Sequence, residues 1–439
     1  MRGRLLVAVI AVAALLAWPL AGLRNASASR VYDAPVTPDY LYRDKTVAFY
    51  EARVNADPRD QISARMLAGQ YMQRYREGQD VGDILRAIHQ AQRSLALQPQ
   101  NNAAADELAG SGYYALHDFR RALHYYAAAH EDEPADSNAP AQMALLEMEL
   151  GAYRTALADI RTARLVHDGP GVWAAQSRYD ELTGGSAQAL LLMQRAAQSA
   201  DAVVNEPAQA RAWYHFRIGE MLFASGRVDE AEQQERLALA QFPQFEMADR
   251  ALARFCWGAR DWRCALQAAK NAAAVIPEPE SLGYEADAQA ALGDAAGAAQ
   301  TRALIFAVER IGNAYHINDR LLAVYYTEHG VRLGDAYAIA QREARNRGNE
   351  IFAQDTLAWA AAMTGHWRQA YRAMLLATLY NTQDPRILFH AAMIESHFGH
   401  RARAKTFLSQ ALALNPQWDP IYAPSARREL AALDVLRLR

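Results

Sequence analysis

Cysteine and lysine are both scarce in this chain of 439 residues: two cysteines, and lysine only at positions 45, 270 and 405. Two thiols cannot staple a disulfide-dense small fold or build a cysteine-rich zinc module. Neither sign of charge dominates. The 46 basic residues, nearly all arginine, face 49 acidic ones for a formal net charge of −3, which excludes a basic stripe for nucleic acid as the main purpose. The chain also lacks a G-x-S-x-G elbow, a glycine-rich phosphate loop and an H-E-x-x-H pair. After residue 60 almost no segment alternates polar and apolar residues as a strand does. No catalytic residue, metal site or cofactor is therefore expected. At 51% hydrophobic and 22% charged, the composition is that of a folded protein.

The one long apolar run stands at the start. Arg2 and Arg4 precede an uncharged stretch from Leu5 to Leu23, followed by Arg24 and the small residues Ala26 to Ser29. A basic start, an apolar middle and a small-residue end mark an export signal, residues 1–28. The run is also close to the length that spans a bilayer, so a cleaved signal and an uncleaved membrane anchor both stand. Either places the rest of the chain outside the cytoplasm, periplasmic or secreted, or tethered to the inner membrane. Loss of residues 1–28 removes three arginines and no acids and leaves a mature charge of −6. Residues 29–43, with Pro35 and Pro38, read as a linker.

What fills the rest is a helical pattern with a fixed period. Apolar residues recur at i, i+3, i+4 and i+7, and prolines punctuate the chain at 58, 99, 134, 243, 277 and 416. Ala358, Gly365, Trp367, Ala370 and Ala377 return 34 residues later as Ala392, Gly399, Arg401, Ala404 and Ala411. Gly110, Tyr113, Ala122, Tyr126 and Pro134 form one unit of the same kind, and Gly219, Gly226, Ala231, Ala238 and Pro243 another. A period of this size is a pair of helices that cannot bury its apolar face alone and must stack on its neighbours. Small residues let the two helices cross closely, glycine takes the positive φ of the turn, and proline ends the second helix.

This pattern resembles the tetratricopeptide repeat over residues 61–418. The expected fold is all-α, a right-handed superhelical solenoid of about ten such repeats. Residues 44–60 serve as an N-terminal capping helix and 419–439 as a C-terminal one. Extra residues around Tyr75 to Asp80 imply a longer inter-helix loop in the first unit. By analogy with the family, the concave face carries a groove for an extended peptide or partner helix at Tyr114, Trp213, Phe216, Arg254, Trp257, Tyr325, Trp359 and Phe389. Arg178, Arg217, Glu220, Arg250, Asp287, Phe352 and Asp355 stand nearby. Trp257, Trp359 and Phe389 are expected to be its exposed rings. The alternative is that these rings only pack between adjacent helices. The carboxylate clamp of some family members is missing, with Glu107 and Ser111 at the equivalent places.

These features point to an exported, non-catalytic scaffold or adaptor of the bacterial envelope with protein or peptide partners and no nucleic acid, touching membrane only through an uncleaved N-terminus. One alternative is an anchored subunit of a membrane assembly. Another is an enzyme or metal-binding protein using the histidine-rich region 316–400, where His316, His329, His366, His390, His397 and His400 make up half of the twelve histidines. Cys256 and Cys264 flank one turn of the repeat. They are expected either to join as a disulfide in an oxidising compartment or to stay as two small buried thiols.

Overall fold

The computed structural model describes residues 38–312 and 319–435. The export-signal segment 1–28, the linker up to residue 37 and His316 lie outside the described residues. From Tyr42 onward the chain forms one compact unit.

A lone helix α1 (Arg43–Ala56) precedes ten pairs. The first five are α2 (Gln61–Gly78) with α3 (Val81–Leu97), α4 (Ala103–Ala115) with α5 (Phe119–Asp132), α6 (Asn138–Glu149) with α7 (Tyr153–Val166), α8 (Pro170–Leu182) with α9 (Ser186–Asp201), and α10 (Ala208–Ala224) with α11 (Val228–Gln241). Then come α12 (Glu246–Ala259) with α13 (Trp262–Val275), α14 (Pro279–Ala291) with α15 (Ala295–Gly312), α16 (Asp319–Glu328) with α17 (Leu333–Arg347), α18 (Ile351–Met363) with α19 (Trp367–Ala377), and α20 (Pro385–His397) with α21 (Arg401–Leu414). Helix α22 (Tyr422–Val435) closes the stack. No strand occurs among the described residues, and none of their helices is long and apolar enough to cross a membrane.

Local chemistry sets the helix ends. Asp60, Asp118 and Asp261 accept hydrogen bonds from backbone N–H groups three residues on, and Asp384 does the same for Arg386 and Ile387. Each such cap satisfies donors that a helix start leaves open. Pro99, Pro134, Pro243, Pro277 and Pro416 each fall two residues past a second helix, where a missing N–H costs nothing. Gly151, Gly226, Gly365 and Gly399 take φ of +71°, +75°, +80° and +76° in the turns. Within a pair the crossing is close: a Cβ on Gly110 would lie 2.8 Å from the Tyr126 ring, and Ala122, Ala156, Ala265, Ala370 and Ala404 are all fully buried. The first unit departs from expectation. Its extra residues do not lengthen a loop but extend α2 to Gly78. Gln79 then turns the chain in the left-handed region and Asp80 caps α3.

The pairs wind into a right-handed superhelix, and this superhelix closes on itself. The turn between α6 and α7 touches the segment before α18: the Ile351 N–H donates to the Tyr153 hydroxyl at 3.1 Å, and Arg347 pairs with Glu149 at 2.6 Å. The turn after α8 meets residues 381–382, with the Thr382 hydroxyl donating to the Leu182 carbonyl. Asn415, fully buried, donates to the Phe223 carbonyl, and Arg260 donates to the Pro420 carbonyl. The first four of these contacts join residues about 190–200 apart, so one superhelical turn takes about six repeats of 34 residues. Glycines sit on the seam. A Cβ on Gly151 would lie 2.4 Å from the Asn349 carbonyl carbon. One on Gly226 would lie 2.6 Å from the Leu414 carbonyl oxygen, and one on Gly258 2.4 Å from that of Gln417. Turn glycines 293, 330, 365 and 399, beyond the reach of a following superhelical turn, meet nothing within 4 Å. A single core cluster consequently joins residues 141–182 to residues 340–426.

Candidate functional site: an interior recess

Closure turns the concave face into the wall of an interior space. A recess of about 290 Å³ lies there, and its lining comes from α8, α10, α12, α14, α16, α18, α20 and the segment before α22. The first helix of each pair supplies it because Cβ positions one turn apart on that helix share the inward face.

The wall carries ion pairs between helix pairs, two of them joining successive pairs and the third, from Arg386 to Glu328, skipping one. Arg217 reaches Glu181 at 2.7 Å, Arg254 reaches Glu220 at 2.7 Å, and Arg386 approaches Glu328 at 3.6 Å. Arg178 bonds Glu181 within its own helix at 2.8 Å. Charges so confined shift one another. Burial raises the carboxyl of Glu328 to about 7, because the Arg386 charge offsets only part of the desolvation. Glu181 behaves oppositely: burial opposes its charge, but Arg217 and Arg178 together pull its pKa below the ordinary value. Against the desolvation that opposes its charge, His329 gains basicity from Asp287, 3.1 Å away, which also accepts from Trp257 Nε1.

Of the groove residues expected from sequence, Arg254, Trp257 and Tyr325 line this recess, with Arg178, Arg217, Glu220, Asp287 and Phe352 beside them. The others do not. Tyr114 is 36% exposed and packs on Phe119 outside the recess. Trp213 is half-buried against Tyr214, and Phe216 is buried edge-on to Phe245. The expectation that Trp257, Trp359 and Phe389 are exposed rings is corrected: they are 5%, 9% and 2% exposed. Trp257 is covered by Tyr284 of the next pair, at 5.3 Å between ring centroids. Trp359 lies flat on His390 at 4.2 Å and donates to the Tyr422 hydroxyl, while Phe389 stacks on the same Tyr422. The terminal segment and α22 thus cover a face that the repeat pattern alone leaves open.

Sequence reasoning missed Glu280, Tyr284, Arg320, Glu328 and Arg386 in the recess. The signal was the spacing: Tyr284 follows Arg250, and Arg386 follows Phe352, by one repeat of 34 residues. Arg250 itself pairs with Glu278 and Glu280.

The histidines of region 316–400 do not converge. His390 bonds Asp355, His400 bonds Glu395, His366 stacks on Tyr337, and His397 lies on Trp367 at 3.6 Å. Among the described residues, no three histidine, cysteine or acidic side chains are grouped to hold a metal ion. Cys256 and Cys264 are joined as a disulfide with Cα atoms 5.7 Å apart, tying the end of α12 to the start of α13.

No protein-family model matches the chain, and no curated protein matches it. Solved structures overlap it in part. Human IFIT1, as a dimer with PPP-AAAA, is 16% identical over 77% of this chain and 78% of its own, with a TM-score of 0.49. PilW, described as a widely conserved type IV pilus biogenesis factor, is 20% identical over 47% of this chain and 92% of its own, with a TM-score of 0.38. The APC/C hetero-tetramer Cut9-Hcn1 is 13% identical over 89% and 95%, with a TM-score of 0.34. The chain's own geometry is an all-α superhelical stack of helix pairs of the tetratricopeptide kind.

Proposed function

We propose that this protein is a non-catalytic scaffold or adaptor that acts outside the cytoplasm and holds a protein or peptide partner in its interior recess. The observation that carries the reading is the recess itself. Rigid first helices of successive pairs present aromatic edges, guanidinium groups and carboxylates around one space, an arrangement suited to an extended chain with polar backbone and mixed side chains. The basic-apolar-small start of the sequence supports export. The Cys256–Cys264 bridge agrees with an oxidising compartment.

The test uses protein isolated from the native envelope after photo-crosslinking from a probe placed at Val324, which lines the recess. A crosslinked polypeptide is expected, on a chain that starts near Ser29 and gains about 2 Da on reduction of its disulfide. Crosslinks that form equally from an outer-surface probe such as one at Leu165, which is 89% exposed, refute recognition through the recess. A chain that still carries residues 1–28 makes it an anchored subunit instead.

A further inference from the structure

The recess is lined by five arginines and seven carboxylates, and their bonds account for all but one of them. The four arginines other than Arg320 each reach a carboxylate. Glu280 accepts from the Tyr284 hydroxyl, Asp287 from Trp257, and Asp384 and Asp419 from backbone N–H groups at the starts of α20 and α22. Arg320 alone has no hydrogen bond or ion pair to any described residue. Its only polar-type contact is with the ring of Phe352, where its guanidinium carbon stands 5.8 Å from the centroid. The guanidinium of Arg178 lies 5.4 Å from the same centroid.

A half-buried guanidinium with five unused N–H donors is costly. Burial depresses the pKa of Arg320; the carboxylate of Glu350 offsets only part of this, and Arg347 and Arg386 add repulsion. The ring of Phe352 is the one contact the described residues give it. An anion placed on it gains a charge-assisted, bidentate contact in a confined setting. The ring of Phe352 fixes the guanidinium from its face and leaves its edge free to donate.

The surroundings narrow the anion. Carboxylates outnumber guanidiniums in the recess, so a polyanion or a doubly charged phosphate meets net repulsion, while a single carboxylate completes one pair. Leu321, next to Arg320 in sequence, and Val324, one turn further along α16, line the recess with it and offer apolar contact to whatever flanks that carboxylate.

We infer that Arg320 is the anchor of a carboxylate subsite, which takes one acidic group of a bound peptide, flanked by an apolar side chain. The inference rests on the reading of the recess as a peptide site and names the chemistry selected there. The group is either an internal acidic side chain or a chain terminus, and the test separates the two.

Four fluorescein-labelled hexapeptides of alanine and leucine serve as probes in fluorescence anisotropy. One has an internal glutamate and an amidated end, the second glutamine in its place, the third that glutamine with a free C-terminal carboxylate, and the fourth phosphoserine in place of glutamate. A carboxylate peptide should bind about 10- to 100-fold more tightly than the neutral one, and added salt should reduce the difference. Preference for the first or the third identifies the source of the carboxylate. Arg320→Gln should erase the preference, Arg320→Lys should keep part of it, and Arg320→Gln should melt at or above the temperature of the parent protein because no bond is lost. Equal binding of all four peptides overturns the subsite but leaves the peptide reading standing. Tightest binding of the phosphopeptide, a preference that survives Arg320→Gln, or no binding of any peptide also overturns it. In the last case the crosslink from Val324 decides the wider reading separately. A clear fall in the melting temperature of Arg320→Gln would show that its role is structural and overturn the inference too.

Discussion

Two glycine-to-alanine substitutions with the same backbone demand separate a closed superhelix from an open one. Gly151 and Gly365 both occupy inter-helix turns, at φ +71° and +80°. Alanine in the left-handed region costs about 1–2 kcal/mol at either place. At Gly365 the new methyl meets nothing within 4 Å, so that conformational cost is the whole effect. At Gly151 it would stand 2.4 Å from the Asn349 carbonyl carbon and 2.5 Å from the Glu350 nitrogen. Both are backbone atoms and cannot swing aside, so ordinary contact requires the seam to open by about 1 Å. That displacement strains the bond between Ile351 N–H and the buried Tyr153 hydroxyl, and the Arg347–Glu149 pair. Leaving buried polar groups unpaired costs about 1–3 kcal/mol more. Gly151→Ala should therefore lose roughly 2–5 kcal/mol against about 1–2 for Gly365→Ala, the excess being the seam contribution. Gly184→Ala, whose methyl would lie 2.8 Å from the Asn381 carbonyl oxygen, should fall between them. Urea unfolding followed by far-UV circular dichroism, with midpoint and slope fitted together, measures all three. Equal losses for Gly151→Ala and Gly365→Ala would refute the contact between successive superhelical turns.

Two further outcomes follow from buried groups. Trp359→Ala should cost about 3–5 kcal/mol, because the indole fills space between His390 and Tyr422; a melting temperature unchanged within a degree or so would mean that the ring is free. Stability should also fall as pH rises. Burial lifts the carboxyl of Glu147 from 4.5 to about 8, with Asp159 opposite adding to it. In the unfolded chain Glu147 ionises near 4.5 while the folded form keeps its proton, so its stabilising effect is complete below pH 4.5 and is lost by about pH 8, a few kcal/mol in all. Glu147→Gln should flatten the melting temperature between about pH 5 and 8. A wild-type melting temperature that rises across that range would contradict the assignment.

The helix pairs were legible because their determinants are local. Pro99, Gly151 and Asp118 act within a few residues of where they stand, and a period of 34 repeats their message ten times. Closure was not legible. It depends on a small rotation per pair summed over about six pairs, and no single residue encodes that sum. Gly151 reads equally well as a turn residue in an open coil. The same gap explains Trp359 and Phe389. Their place on a first helix follows from the period, but their cover comes from Tyr422 of the final helix, and nothing in the repeat foretells how far that helix reaches. Arg320 was hidden for the opposite reason: among more than forty arginines, the one that stands without a hydrogen bond or ion pair in the recess is recognised only after the other four there have found theirs.

Seam contacts separated by about six repeats also constrain how the gene for such a chain can change. In an open array, duplication or deletion of one unit lengthens or shortens the product and leaves the remainder intact. Here an inserted 34-residue unit between residues 227 and 345 would advance every later pair by one place around the axis. Gly151 would no longer meet Asn349, Leu182 would lose Thr382, and the buried amide of Asn415 would arrive one unit away from the Phe223 carbonyl. The number of units is thereby tied to the pitch, and tolerated insertions should be confined to outer loops that leave the count unchanged.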